Sequence, residues 1–327
     1  MSRIRITDAE GRFLDRWDDD VARSVNGTLF HLRSFLAYHG ERFRNRDRFL
    51  LVLDGDSLVA QIPVAIFDEP DGAGLRSPYG ASYGGFAFQR YPTFSQAIRI
   101  VEALLAWAEA EHVTRAILTP PIAACSGLPL DVFHFALLAR GFVSTNRDVS
   151  SLVALDSALP VDTIVTSRAR TTARKAEREG VTIRHRAGVE DFWPVVEATF
   201  ERHGASPTHT EAEFGWLTSV LPDRVYADVA YHDGQPVAGV GYFVVNRLVT
   251  SSFYLCQRPD RRDVHGLTLC VLRGLEQARG DGFRWFDFGT STAGMEPREN
   301  VFRFKEQFGN VGQFRETFEW RAERASA

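Results

Sequence analysis

Two hairpin signals of the same kind, one in each half of the chain, limit its possible folds more than any other feature. Residues 49–67 (FLLVLDGDSLVAQIPVAIF) hold two apolar strand patterns around Asp54-Gly55-Asp56, and residues 225–245 (VYADVAYHDGQPVAGVGYFVV) repeat the device around Asp233-Gly234. Asp and Gly tolerate the positive φ that a tight turn between twisted strands requires, so each run predicts a β-hairpin. More strand-like sequence follows each hairpin, then a helix. The first helix is expected at 93–112, with Ile98, Val101, Leu104, Leu105 and Ala108 on one face. The second is expected at 266–279, with Leu269, Leu272, Leu275 and Ala278 inward. Each helix leads into a short apolar run, RAILTPP or FRWFDFG. Each half closes on a helix-like segment and a strand: DVFHFALLARGFVSTNRD and ENVFRFKEQFGNVGQFRETFEW. The order hairpin, helix, strand, helix, strand thus occurs twice, matched in pattern and not in residue identity. The expected fold class is α+β (mixed α/β), with two tandem copies of one unit, each a mixed twisted sheet flanked by helices.

A chain of 327 residues accommodates two such units. With 44% hydrophobic and 24% charged residues it can build packed cores. No apolar run reaches 18 residues, so no membrane span is expected. The opening MSRIRITDAEGRFLDRWDDD lacks the apolar stretch of a signal peptide. Cys125, Cys256 and Cys270 form no CxxC pair, which fits a reducing compartment. A cytoplasmic location follows as the expectation. The nine histidines show no HExxH and no Cys/His ligand spacing, so no metal is expected. A net charge of −4 argues against a polyanion-binding surface over the whole chain.

Charge is concentrated instead. Residues 167–186 (SRARTTARKAEREGVTIRHR) set Arg168, Arg170, Arg174, Lys175, Arg178, Arg184 and Arg186 against only Glu177 and Glu179. Ser167 is placed to cap a helix running to Gly180. Such a helix is either a solvated, ion-paired face or an anion-binding face for phosphates. The only lysines of the chain are Lys175 and Lys305; every other basic residue is arginine. A lysine is a compact point charge and an arginine a wide planar fork, so a lysine in an arginine-rich chain marks a position worth testing.

Four segments together, SPYGASYGGF (77–86), SRARTTARKAEREGV (167–181), GFRWFDFGTST (282–292) and NVFRFKEQFG (300–309), resemble the FemABX-like branch of acyltransferases. The resemblance spans nearly the whole length, and its motifs keep the family's order. It implies two tandem GNAT-like domains, placed at 1–156 and 187–327, with the basic helix and linker at 157–186 between them. It implies amide-bond formation by acyl transfer to a small-molecule or peptide amine. The donor is aminoacyl-tRNA in the best-known members and acyl-CoA in others, as a co-substrate and not a resident cofactor. Acyl-CoA-using GNAT enzymes carry Q/R-x-x-G-x-G/A before a helix; here Arg262 to Gly266 is one residue too long and Thr268 stands at the small position. That departure and the basic helix favour aminoacyl-tRNA. Because two fused units supply internally the pairing that single-domain relatives gain by dimerising, a monomer is expected.

Acyl transfer needs a stabilised oxyanion, and preorganised positive charge supplies it. The resemblance puts Lys305 in that role and Phe304 beside the donor's terminal adenosine; the bland reading is a snorkelling lysine beside core phenylalanines. Asp287 either deprotonates the acceptor ammonium or holds a turn over Gly289–Ser291. Arg303 either reads a donor phosphate or pairs with Glu299. Arg262 and Gly266 are the donor-side turn candidates, and Arg168 and Arg174 the phosphate contacts. Tyr83, in a small-residue loop that lets a substrate approach the backbone, and Tyr254 are the acceptor-side candidates, with half-buried sheet as the alternative for Tyr254. Two other classes stand beside this reading. One is a tRNA- or substrate-binding module without chemistry. The other is a serine hydrolase at Ser82, within the GxSxG match Gly80–Gly84, which requires a helix directly after the serine.

Overall fold

The computed structural model describes residues 4–155, 160–202, 204–309 and 311–322. The chain forms two compact units, 1–148 with 314–327, and 149–313. The expected boundary at 156/157 lies outside the described residues. The basic helix, expected to link two domains, is instead a part of the second unit.

The first unit runs through β1 (Ile4–Asp8), α1 (Arg12–Asp15), α2 (Trp17–Arg23), α3 (Arg33–Leu36), β2 (Asp47–Asp54), β3 (Ser57–Glu69), β4 (Gly72–Ser77), β5 (Ala87–Phe88), α4 (Phe94–Ala110), β6 (Val113–Leu118), α5 (Asp131–Ala139) and the start of β7 (Val143–Ala154). β1 to β4 pair antiparallel in sequence order, and β4 then pairs with β6 in parallel. Thr93 caps α4 by accepting the Gln96 N–H at 3.3 Å, and Ala97, Ile100, Val101, Leu104 and Ala108 form its buried stripe. The chain's last strand, β15 (Val311–Arg321), returns here: Phe318–Arg321 lie antiparallel to Leu118–Arg115. Phe318 is buried there, worth about 1.5–3 kcal/mol for a side chain of its size. Arg115 adds a two-pronged pair to Glu319, both contacts at 3.0 Å.

The second unit runs through the rest of β7, α6 (Val161–Ile164), α7 (Ser167–Arg178), β8 (Thr182–Arg184), α8 (Val189–Arg202), α9 (Glu211–Val220), β9 (Val225–His232), β10 (Gln235–Val244), β11 (Val249–Gln257), α10 (Gly266–Gly280), β12 (Trp285–Thr290), β13 (Thr292–Ala293), β14 (Glu296–Pro297) and α11 (Glu299–Lys305). Its strand order is β7-β12-β11-β10-β9-β8, with β11/β12 the parallel pair. The hairpins β2–β3 and β9–β10, each followed by strand, helix and parallel strand, show that the repeat seen in the sequence is a repeat of topology.

α7 corrects two expectations. Its cap is Thr166, whose hydroxyl accepts the Ala169 N–H at 3.3 Å, and not Ser167. Nor is it solvated all round: Ala169, Ala173 and Ala176, at i, i+4 and i+7, are buried and pack the helix against α10. A three-alanine stripe among arginines is too narrow to dominate the polar periodicity, yet it suffices for close helix approach.

Beside β8, Asp228 is buried and accepts the Arg186 N–H at 3.0 Å, while His185 Nδ1 lies 3.2 Å from its other oxygen. Arg186 sits at φ 50°, a strained value for a residue with a Cβ. Burial raises the Asp228 pKa. Asp228→Ala strips the turn of both partners and is expected to cost about 1–3 kcal/mol, measured as a lowered denaturant midpoint at unchanged m.

Candidate active site

The parallel pair β11/β12 defines the site. The strands pair over three rows only, Val249/Trp285, Thr250/Phe286 and Ser251/Asp287. β11 then continues to Gln257 beside β10 alone, so its other edge loses its ladder partner. An unpaired strand edge offers backbone N–H and C=O groups to an extended ligand. The carboxyl end of parallel strands is also where open α/β sheets bind ligands.

α10 begins beside this opening. His265 adopts the left-handed conformation at φ 58° and gives no side-chain cap. Gly266 is the first helical residue, and a Cβ there would meet Val237, Ala230 and Ala238 at 3.1–3.2 Å. A side chain there would require these neighbours to give by a few tenths of an ångström. The N–H groups of Gly266, Leu267 and Thr268 have no hydrogen bond among the described residues. A helix start of this kind attracts anions. Arg262, in the turn before it, is exposed. Arg261 is the arginine tied down, with Nη2 2.5 Å from His232 Nδ1 and 3.7 Å from Asp233.

At the end of β12, Gly289 turns the chain at φ 70° and its N–H is accepted by Asp287 Oδ1 at 2.8 Å. Asp287 is buried. Lys305, at the C-terminus of α11, is buried too, and its ammonium donates to the carbonyls of Gly289 (2.9 Å) and Thr290 (2.8 Å). Burial lowers the Lys305 pKa to about 8, against the opposing field of Asp287. It is not the snorkelling surface charge weighed from the sequence, and two of its N–H bonds hold the strand end. Phe304 packs against the core with its ring 5.4 Å from Phe308. Arg303 is exposed and lies 3.9 Å from Glu299, the helical ion pair weighed from the sequence.

Lys305, Asp287 and the turn between them come together. Tyr254 is buried on the opposite strand, inside an aromatic cluster with Phe192, Trp193, Phe200 and Phe214, and its hydroxyl accepts the His209 N–H at 3.1 Å. It lines no groove, because its strand faces the helices α8 and α9. Arg168 and Arg174 are exposed on the outer face of α7 and have no ion pair among the described residues. Lys175 is half-exposed and lies 3.7 Å from Glu179, and Glu177 pairs with Arg273.

Tyr83 lies in the first unit, buried against Phe30. The small residues around it serve the loop's own packing: a Cβ on Gly84 would meet Ser77 C and Pro78 N at 2.4–2.5 Å, and Gly80 lies over His39. The chain after Ser82 enters the strand Ala87–Phe88, so the helix that a serine-hydrolase turn requires is missing. Reasoning from sequence missed Ser150, whose buried hydroxyl has no partner and which stands opposite Thr290. A lone serine in a strand carries no signal.

Residues 165–306 match the family model described as an acetyltransferase (GNAT) domain. A crystal structure of FemX superposes with a TM-score of 0.72 at 13% identity, covering 97% of both chains. The chain has the tandem GNAT fold. A tandem GNAT protein from the clavulanic acid biosynthesis pathway gives a TM-score of 0.56 at 12% identity, over 99% of this chain and 100% of that one. The C-terminal domain of a putative lysylphosphatidylglycerol synthetase from Agrobacterium fabrum gives 0.60 at 12% identity, over 94% and 91%. Comparison with curated proteins finds no sequence match. β11, α10 and β12 are the strand, helix and parallel strand of the segment that matches the family model. No helix among the described residues is long and apolar enough to cross a membrane.

Proposed function

We propose that this tandem GNAT acyltransferase forms an amide bond by moving an activated acyl group from aminoacyl-tRNA onto the amine of a small molecule or peptide, in the cytoplasm. The observation that carries the reading is the buried ammonium of Lys305 at the open end of the β11/β12 pair. The exposed side chains of Arg168, Arg174 and Arg178 on α7, in the same unit, support a polyanionic donor.

The acceptor amine attacks the ester carbonyl, a C–N bond forms, and the C–O bond to the ribose breaks. The amine's proton leaves and the ribose oxygen gains one. Lys305, holding the strand end with two N–H bonds, directs the third toward the developing oxyanion. A pKa near 8 leaves it charged at neutral pH. Asp287 keeps that charge in place and fixes the Gly289 turn, the turn role weighed from the sequence beside that of proton acceptor. Phe304 shields the ammonium from water. Arg303 and Arg262, exposed at the rim, meet the donor's phosphates.

The uncapped start of α10 and the acetyltransferase family model favour a second donor, acyl-CoA, whose pyrophosphate suits a helix N-terminus. Labelled aminoacyl-tRNA and labelled acetyl-CoA, offered in parallel with a mixed pool of amines, separate the two. Amide product from the tRNA alone is the expected outcome. Product from acetyl-CoA alone reverses the choice of donor. Tight tRNA binding with no turnover on any amine assigns the chain to non-catalytic binding.

A further inference from the structure

We infer that the first unit carries an anion subsite at Arg315, built to hold a carboxylate or phosphate group on the acceptor. Arg315 lies on β15 just beyond the point where that strand pairs with the end of β6. Its guanidinium lies 5.5 Å from the centre of the Tyr83 ring and donates through Nη2 to the Ser82 carbonyl. Its Nε–H is buried and has no hydrogen-bond partner. Among the described residues no carboxylate pairs with it.

Several other arginines of this unit have carboxylate partners. Arg48 pairs with Asp8 and Glu111, Arg115 with Glu319 and Glu69, Arg140 with Glu102, and Arg147 with Glu316. An arginine held by an aromatic face and one carbonyl, with a buried N–H left over, is a fork without its anion. Side chains alternate along a strand, so Thr317 shares the face of Arg315. Its hydroxyl lies 2.9 Å from that of Thr119, at the carboxyl end of β6. Ser77 closes the neighbouring end of β4, where its hydroxyl accepts the Gly85 N–H at 2.8 Å and donates to the Pro63 carbonyl at 2.6 Å. The subsite therefore sits at the carboxyl ends of the parallel pair β4/β6, the position in the first unit that the proposed active site occupies in the second.

The inference extends the proposed function, but its test reads binding alone, so its failure is separate from a failure of acyl transfer. Calorimetric titrations of the full chain use glycylglycine, glycylglycinamide and inorganic phosphate. Glycylglycine binding at least about tenfold tighter than its amide (a difference of about 1.4 kcal/mol) identifies a carboxylate as the anion. Saturable binding of phosphate with no preference for glycylglycine identifies a phosphate group. Either affinity is expected to fall at least about tenfold in Arg315→Gln, to persist in part in Arg315→Lys, and to be unchanged in Arg140→Gln. Thermal melts of each variant confirm the fold. Absence of binding by both anions overturns the inference, and so does equal binding by wild type and Arg315→Gln.

Discussion

Lys305→Met is expected to lower kcat by about 10²–10³-fold, the effect of removing one oxyanion donor, with KM for the donor changed little. Methionine matches the buried stem but leaves the Gly289 and Thr290 carbonyls without their shared donor. The turn therefore loosens along with the loss of charge. Lys305→Arg tells the two effects apart. A guanidinium keeps the charge, yet its planar fork is wider than the ammonium that sits between two successive carbonyls. Activity as low as that of the methionine variant shows that geometry matters as much as charge; near-wild-type activity of the arginine variant shows that charge alone suffices, and near-wild-type activity of the methionine variant removes the proposed role. Lys175→Arg is expected to be nearly silent, because that lysine is half-exposed with one loose ion pair.

The same lysine sets a pH signature. Its folded pKa lies below the ordinary value of 10.5, at about 8. The ammonium form is therefore lost as pH rises through about 8, and kcat is expected to fall there. Stability moves the other way: between about 8 and 10.5 the unfolded chain binds the extra proton, so this group's contribution rises with pH in that window and is flat below it. A rate profile that stays level to pH 10 contradicts the ammonium role.

Replacing Arg168, Arg174 and Arg178 together by glutamine is expected to raise the KM for aminoacyl-tRNA by about 10–100-fold and to flatten its salt dependence. Each lost phosphate contact removes about 0.7–0.9 from the log–log slope. All three side chains are exposed and have no ion pair among the described residues, while α7 is held by its buried alanines. The fold should survive, checked by an unchanged circular dichroism spectrum and melting temperature. Because the chemistry proposed at Lys305 does not involve α7, kcat at saturating donor should change little. An unchanged KM for aminoacyl-tRNA would separate α7 from donor binding and turn attention to the start of α10.

How much was legible in the sequence differs by element. Asp54-Gly55-Asp56 and Asp233-Gly234 marked both hairpins, since turn chemistry is local. Leu269, Leu272, Leu275 and Ala278 marked the inward face of α10, and all four are buried. The alanines of α7 were passed over because methyl groups weigh little beside five basic side chains. Tyr254 stood between an acceptor contact and half-buried sheet because a tyrosine in a strand does not reveal which face of the sheet its helices cover. Ser150 and Arg315 carried no pattern at all: one is a lone hydroxyl in a strand, the other one arginine among many.

The sequence by itself determined the repeated α+β unit, the positions of its hairpins and long helices, and the two lysines to be tested. These rest on turn propensity, side-chain periodicity and residue identity, which act over a few residues. Only the tertiary structure decided that β15 leaves the second half to complete the first unit, that β11 and β12 part after three rows, and that Lys305 points into the turn after Asp287. Those outcomes depend on strand pairing and burial between residues far apart along the chain. The competing pairings differ in long-range packing, and nothing local in the sequence distinguishes them.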